Sequence, residues 1–136
     1  MDLEAMGRLF HAVGEDVSGS DGAWQFEVED VRVACLTDLR FDRMRLIAPV
    51  IETDELTDTQ RDACLEANFH TALDARYSTS DGVLYAAFIH PLGSLTEDDL
   101  KAALSQVVSL VQTFGGAYSS GNLVFGVPPS GGGEPN

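Results

Sequence analysis

Apolar and polar positions alternate with different periods along the chain, and each change of period predicts a new element. The first apolar residues recur at spacings of three and four, which predicts an amphipathic helix. They are Leu3, Met6, Phe10 and Val13. After the segment 18–22, which is rich in Gly and Ser and typical of a loop, the period becomes two. That alternation predicts three strands, at 24–28, 31–36 and 43–50.

The second half of the chain predicts a helix, two strands and a further helix. Thr57 and Gln60 match a capping box, which predicts the start of a second helix. Its apolar positions are Leu65, Phe69 and Leu73, with Cys64 and Ala72 beside them. Two strands at 75–79 and 83–90 flank an Asp-Gly pair, a strong signal for a tight hairpin turn. A third helix follows, with Thr96 as its N-cap and an apolar stripe that runs to Phe114.

The order of elements is therefore helix, three strands, helix, two strands, helix. Short hairpin connections predict an antiparallel sheet, and helices between hairpins predict an α+β two-layer sandwich with five strands. We expect one domain over residues 1–118 and a flexible C-terminal extension over 119–136. The extension contains one short apolar segment, 123–125, which we expect to dock weakly on the domain.

Composition limits the classes of partner. The chain has 136 residues, with 8 Lys and Arg against 22 Asp and Glu, a net charge of −14. Nucleic acid and anionic membranes repel such a chain, so we expect neither as a partner. No apolar run is long enough to span a membrane, and the first residues are acidic where a signal peptide is basic. We therefore expect a cytoplasmic protein.

Candidate chemistry is sparse. The three histidines, His11, His70 and His90, form no closely spaced ligand pair with a cysteine or with one another. Cys35 and Cys64 lie on apolar faces, which is typical of buried thiols. Asp54 and Asp58 could hold a divalent cation, but their spacing matches no calcium loop. We predict no catalytic residue, no cofactor and no resident metal.

Two elements carry apolar residues beyond what a core needs. The strand at 83–89 is apolar on both faces, so it is either central and covered on both sides or it faces a partner. On that strand Leu84 and Phe88 are the predicted contact residues. On the second helix we predict an interface through Leu65 and Phe69, with Ala67 allowing close approach.

The order of elements and three sequence stretches resemble the type III secretion chaperone-like fold, which the class I effector chaperones (the Tir-chaperone, or CesT, family) share with YbjN-like proteins. The first stretch, 43–50, is similar to the third strand of that fold, with its apolar end that contains proline. The second, 64–69, resembles the signature of the second helix, in which Ala and Asn precede an apolar residue. The third is Pro91-Leu92, followed by the acidic start of the third helix.

The resemblance implies a small, acidic, cytoplasmic bacterial homodimer without enzymatic activity. In the secretion chaperones of this fold, the N-terminal segment of an effector wraps in extended form around apolar patches of the dimer. The resemblance therefore predicts a chaperone-like module that holds an extended, effector-like partner segment. The alternative is a YbjN-like regulatory or accessory protein of the same fold without a secretion client.

Overall fold

In the computed structural model, residues 1–70 and 72–115 are described, and they form three α-helices and one sheet. The predicted boundary at residue 118 and the apolar segment 123–125 lie outside these residues. The elements are α1 (Leu3–Val13), β1 (Glu15–Ser20), β2 (Ala23–Val28), β3 (Val31–Asp38), β4 (Arg43–Glu52), a 3₁₀ turn (Thr53–Glu55), α2 (Asp58–His70), β5 (Arg76–Ser80), β6 (Val83–Pro91) and α3 (Glu97–Thr113).

The strands form one antiparallel sheet in the order β1-β2-β3-β4-β6-β5. The predicted α+β class, with an antiparallel sheet and three helices, is confirmed. The predicted number of five strands is wrong, because the sheet has six. The additional strand is β1, which includes residues 18–20 of the segment 18–22 that was predicted as a loop.

Strand β1 could not be recognised from its pattern of apolar and polar residues. Its residues are polar apart from Val17, and its register against β2 shifts between Glu15 and Ser18, as at a β-bulge. The strand is held by backbone pairing to β2, and it has almost no apolar alternation of its own. The signal that could have revealed it is the pair Asp21-Gly22, whose positive φ angles of 58° and 97° close a tight hairpin.

The core lies between the inner face of the sheet and the helices α1 and α3. The ring of Phe10 on α1 stacks on Phe26 with 4.6 Å between centroids, and it meets Trp24 edge-on at 5.2 Å. Gly14 ends α1 directly beside this cluster. A Cβ atom there would lie 2.9 Å from both the Phe10 carbonyl oxygen and the Phe26 ring, so only glycine fits.

Helix α3 supplies the other half of the core. Its residues Leu100 and Val107 are completely buried, and Leu95 packs into the core just before the helix begins. Thr96 is the N-cap, as predicted, and it also forms a capping box: Thr96 Oγ1 accepts from the Asp99 amide at 3.0 Å, and Asp99 Oδ2 accepts from the Thr96 amide at 3.2 Å. No helix among the described residues is long and apolar enough to cross a membrane.

Candidate partner-binding surfaces

Helix α2 presents large apolar side chains to solvent. Leu65 is 63% exposed and Phe69 is 83% exposed, and Leu73, just beyond the end of the helix, is 69% exposed. We call these three residues the outer α2 stripe. The side of α2 that packs against the domain buries only small residues, Ala63, Cys64 and Ala67. The helix therefore lies close to the domain and holds its larger side chains outward.

The side chain of Asn68 fixes α2 to the edge of the sheet. Its Oδ1 atom accepts from the amide of Tyr77 on β5 at 2.8 Å, and its Nδ2 atom donates to the carbonyl oxygen of Tyr77 at 3.0 Å. The amide group of Asn68 thus makes the two hydrogen bonds that a neighbouring strand would make. We call this pair of bonds the Asn68 clamp. An incoming strand cannot pair with β5 at this position unless the clamp opens.

Two further contacts close the same edge. Gln106 on α3 accepts from the amides of Asp74 and Ala75 at 2.8 and 3.0 Å, just before β5 begins. The hydroxyl of Tyr77 donates to the carbonyl oxygen of Leu110 at 2.6 Å. These bonds join α2, β5 and α3, so the β5 side of the sheet is supported by side chains from two helices.

The sheet has a second face on the side opposite the core, and no helix among the described residues covers it. We call it the open sheet face, and its central positions carry apolar side chains. Ala34, Ile47 and Ala87 form one cross-strand row, and Pro49 pairs with Tyr85 in the next. Ile89 is 58% exposed and Leu36 is 44% exposed on the same face. These residues form a broad, partly apolar surface across β3, β4 and β6.

Two shallow depressions lie on the open sheet face. One of about 270 Å³ is lined mainly by apolar residues, among them Ile47, Pro49 and Tyr85. The other, of about 320 Å³, lies toward the β3–β4 turn between Leu36 and Phe41. At the tip of that turn Leu39 and Phe41 are also exposed, and the guanidinium of Arg40 lies 4.9 Å from the centre of the Phe41 ring. Small apolar side chains of a bound segment could occupy these depressions.

The predicted contact residues divide into two groups. Leu65 and Phe69 lie on the outer α2 stripe, whereas Ala67, Leu84 and Phe88 are buried at 3%, 3% and 6% exposure. Leu84 and Phe88 were predicted as contact residues, but both lie on the inner side of β6. Both sides of this strand are apolar, so its pattern could not show which side the helices cover.

The outward side chains of β6 replace those two as candidate contacts. They are Tyr85, Ala87 and Ile89. Ala67 was also predicted as a contact residue, but its methyl group faces the domain. The sequence could not show which side of β6 is exposed, since that depends on which face of the sheet the helices cover.

Within residues 1–70 and 72–115, the cysteines, histidines and carboxylates do not meet in a reactive arrangement. Burial raises the pKa of the Cys35 thiol to about 12, and burial also raises that of Cys64 to about 12 against the opposing effect of Arg61. At neutral pH both are therefore thiols, which are poor nucleophiles. The acidic trio Glu52, Asp54 and Glu55 is exposed, and Asp58 is not part of it.

A polar depression of about 390 Å³ lies where β6 ends, and Asp74, His90 and Asp99 line it. Two of these three ionisable side chains, Asp99 and His90, already have structural partners. The Asp99 carboxylate belongs to the α3 capping box, and His90 Nδ1 lies 2.8 Å from the Pro91 carbonyl oxygen. The His90 ring also stacks on Phe88. The depression is therefore lined by groups that stabilise the fold, and its lining does not place a nucleophile beside a base.

Comparisons with known proteins support the fold. No family model matches the sequence, and no curated protein matches it. Solved structures do match. A chain of the HopA1–SchA chaperone–effector complex has a TM-score of 0.61 at 13% identity, over 82% of this chain and 88% of that one. A chain of the ExsC–ExsE complex has a TM-score of 0.62 at 18% identity, over 84% of this chain and 97% of that one.

A third match is the Yersinia pestis type III secretion chaperone SycH in complex with a stable fragment of YscM2. Its TM-score is 0.57 at 13% identity, over 82% of this chain and 95% of that one. Identities this low establish a shared architecture, and the coverage includes nearly all of each domain. The predicted resemblance is confirmed at the level of the fold: this chain has the type III secretion chaperone-like fold.

Proposed function

We propose that this protein is a non-enzymatic binding protein of the effector-chaperone kind. In this proposal two copies pair through α2, and the dimer holds an extended segment of a partner protein on the open sheet faces. The structures with the same fold are complexes of chaperones with their protein partners, which supports a binding role. The charge of −14 argues against nucleic acid and anionic membranes as partners, and we place the protein in the cytoplasm.

The outer α2 stripe is the observation that carries the proposal. Complete burial of a side chain as large as Leu or Phe stabilises an assembly by about 1.5–3 kcal/mol. In a two-fold dimer the same patch of both copies forms the interface, so each stripe residue contributes one buried side chain from each copy. The three exposed apolar side chains of the stripe, two on α2 and one just beyond it, therefore provide apolar area for a self-complementary contact.

The open sheet face is the proposed site for the partner segment. The Asn68 clamp and Gln106 oppose pairing at the β5 edge. The opposite edge, β1, is polar and interrupted by a register shift. Both edges are thus poor templates for an added strand. The apolar depressions on the face between the edges remain the surface best suited to hold aliphatic side chains.

Light scattering of purified protein at micromolar concentration tests the dimer. We expect the mass of two chains for the wild type and of one chain for Phe69→Glu, because a carboxylate in the middle of the stripe cannot be desolvated at low cost. Leu39→Glu is the matched control, since Leu39 is 68% exposed but lies at the β3–β4 turn. It should remain dimeric. A wild-type monomer, or a Phe69→Glu dimer, would contradict the proposal.

A further inference from the structure

We propose that the open sheet face selects partner segments in which a carboxylate side chain lies between two aliphatic ones, and that Arg45 binds the carboxylate. This inference rests on the proposed function and names the chemistry of the segment that is held. It identifies Arg45 as a specificity residue that the sequence analysis did not single out. The position of Arg45 in the sheet, its lack of a partner and the charge of the surrounding molecule support it.

Arg45 lies on β4, an inner strand of the sheet. Its cross-strand neighbours are Leu36 on β3 and Ile89 on β6, and all three side chains point to the open sheet face. Neighbouring strands are about 4.8 Å apart, so the two aliphatic side chains flank the guanidinium within about 10 Å. A bound segment would thus meet an apolar group, a cation and another apolar group in one row.

Arg45 has no partner within the part of the chain that the structure describes. Three cations form ion pairs, Arg8 with Glu4, Arg32 with Glu27 and Lys101 with Glu97. The guanidinium of Arg43 donates to the carbonyl oxygens of Phe41 and Asp42. Among the described arginines, the guanidinium groups of Arg40, Arg45 and Arg61 make neither a hydrogen bond nor an ion pair. That of Arg40 lies over the Phe41 ring.

The nearest acidic position on the open sheet face is Asp38, which is paired directly with Arg43 and lies diagonal to Arg45. Its Oδ1 atom already accepts from the amides of Arg40 and Phe41 at 3.0 and 3.3 Å. Asp38 therefore closes the β3–β4 turn and makes no ion pair with Arg45. In a chain with 22 acidic residues, an inner-strand arginine without a carboxylate partner is unexpected from composition alone. Arg45 lacks a carboxylate partner because its cross-strand neighbours, Leu36 and Ile89, are aliphatic.

The apolar surroundings strengthen what Arg45 can bind. A guanidinium forms paired, charge-assisted hydrogen bonds with a carboxylate, and these bonds strengthen when a partner excludes water. Arg and Tyr are also the residue types that most often dominate binding at protein interfaces, and Tyr85 lies on the same face. A segment with a carboxylate flanked by aliphatic side chains would match both parts of this surface.

The charge of the whole chain adds selectivity. With a net charge of −14, most of the surface repels an acidic segment. Arg43 and Arg45 line the depression near the β3–β4 turn, where Asp38 is the one acidic residue among the described lining residues. Arg32, which is paired with Glu27, lines the other depression. An acidic side chain is therefore attracted to this face and repelled elsewhere, which fixes where the segment binds.

Synthetic peptides can test the inference with the full-length protein. The first peptide is an extended sequence in which one glutamate lies between aliphatic residues on the same side, and the matched peptides carry glutamine or lysine in its place. We expect the glutamate peptide to bind about tenfold more tightly than the glutamine peptide, because only it forms the charged pair. The lysine peptide should bind least tightly.

Two substitutions assign the preference to Arg45. In Arg45→Gln the preference for glutamate should disappear, whereas Arg8→Gln, which removes the same charge from α1, should retain it. Arg45→Glu should reverse the preference and favour the lysine peptide. Because Arg45 is exposed, we expect these variants to fold, and an unchanged far-ultraviolet circular dichroism spectrum confirms this for each.

The outcomes separate this inference from the proposed function. Equal binding of the glutamate and glutamine peptides by the wild type would overturn the role of Arg45 but leave a binding face for apolar segments. A preference for glutamate that survives in Arg45→Gln would overturn it as well. If no peptide binds to an intact dimer, both the carboxylate site and the open sheet face as docking surface are overturned, while the dimer through α2 stands.

Discussion

Helices α2 and α3 begin in the same way and contribute to the molecule in opposite ways. Both have a complete capping box, formed by Thr57 with Gln60 on α2 and by Thr96 with Asp99 on α3. Helix α3 then buries large aliphatic side chains such as Leu100 in the core. Helix α2 buries only alanines and a cysteine and exposes its large side chains. A good start signal thus identifies a helix without showing which of its sides is covered.

The difference lies in how each helix is attached. Apolar burial holds α3 against four strands of the sheet, whereas α2 contacts the edge strand β5 and is fixed there by the Asn68 clamp. The strength of the two hydrogen bonds in the clamp depends on the positions and angles of their atoms. The stabilisation from α3 depends on the apolar area that the helix buries. The two helices should therefore respond differently to substitution, to pH and to protein concentration.

Removing a large side chain from each helix gives the largest contrast. We expect Leu100→Ala to lower the free energy of unfolding by about 2–5 kcal/mol, because it leaves a cavity in a closed core. Leu65→Ala should change it by less than about 0.5 kcal/mol in the monomer, because Leu65 is mostly exposed there. Urea unfolding, followed by circular dichroism at low concentration, measures both values.

At high protein concentration the same two variants should differ in a second way. The stability of a dimer rises with protein concentration, so the cost of Leu65→Ala should grow as dimers form. The cost of Leu100→Ala should not grow in this way. A loss of several kcal/mol for Leu65→Ala in the monomer would show that the outer α2 stripe packs against its own domain.

Breaking the Asn68 clamp should have an intermediate effect. We expect Asn68→Ala to lower the free energy of unfolding by about 1–3 kcal/mol, because it leaves an amide and a carbonyl group of Tyr77 without these partners. Asn68→Asp is the matched variant, since it still accepts from the Tyr77 amide but cannot donate to the carbonyl group. Hydrogen exchange of the Tyr77 amide should accelerate in the alanine variant and much less in the aspartate variant.

If the Tyr77 amide exchanges at the wild-type rate in Asn68→Ala, the clamp does not protect the edge. In that case β5 would also be available to an added strand, and the proposal that partners bind on the face and not at this edge would fail.

The smallest expected effect is a difference in pH dependence between the two capping boxes. Hydrogen bonds from the Thr96 side chain and backbone lower the pKa of Asp99 below its usual value of 3.8. A group whose pKa is lower in the folded state stabilises the fold above its unfolded pKa and loses this contribution as the pH falls through the folded value. The α3 box should therefore weaken below about pH 4, whereas Gln60 in the α2 box does not titrate.

Two substitutions measure that difference. The destabilisation caused by Asp99→Ala should shrink between about pH 6 and pH 3, because protonation removes the charge of Asp99 in the wild type. The effect of Gln60→Ala should stay nearly constant over the same range. A constant effect for Asp99→Ala would show that its carboxylate does not support the helix through its charge.

The local signals in the sequence determined much of this protein. The capping box of α2, the N-cap of α3, the Asp81-Gly82 hairpin and the three helices were predicted because they depend on residues close together in the chain. The apolar stripe of α3 was predicted for the same reason. Strand β1 was missed because its polar residues are held by pairing with β2, which no local period reveals.

Only the tertiary structure decided which apolar residues are covered. Strand β6 has apolar side chains on both sides, and the positions of α1 and α3 make Leu84 a core residue and Ile89 a surface residue. In the same way, the cross-strand register places Arg45 between Leu36 and Ile89, residues far apart in the chain. Sequence period distinguishes the two sides of a strand, but coverage depends on what packs against each side, and that requires the whole fold.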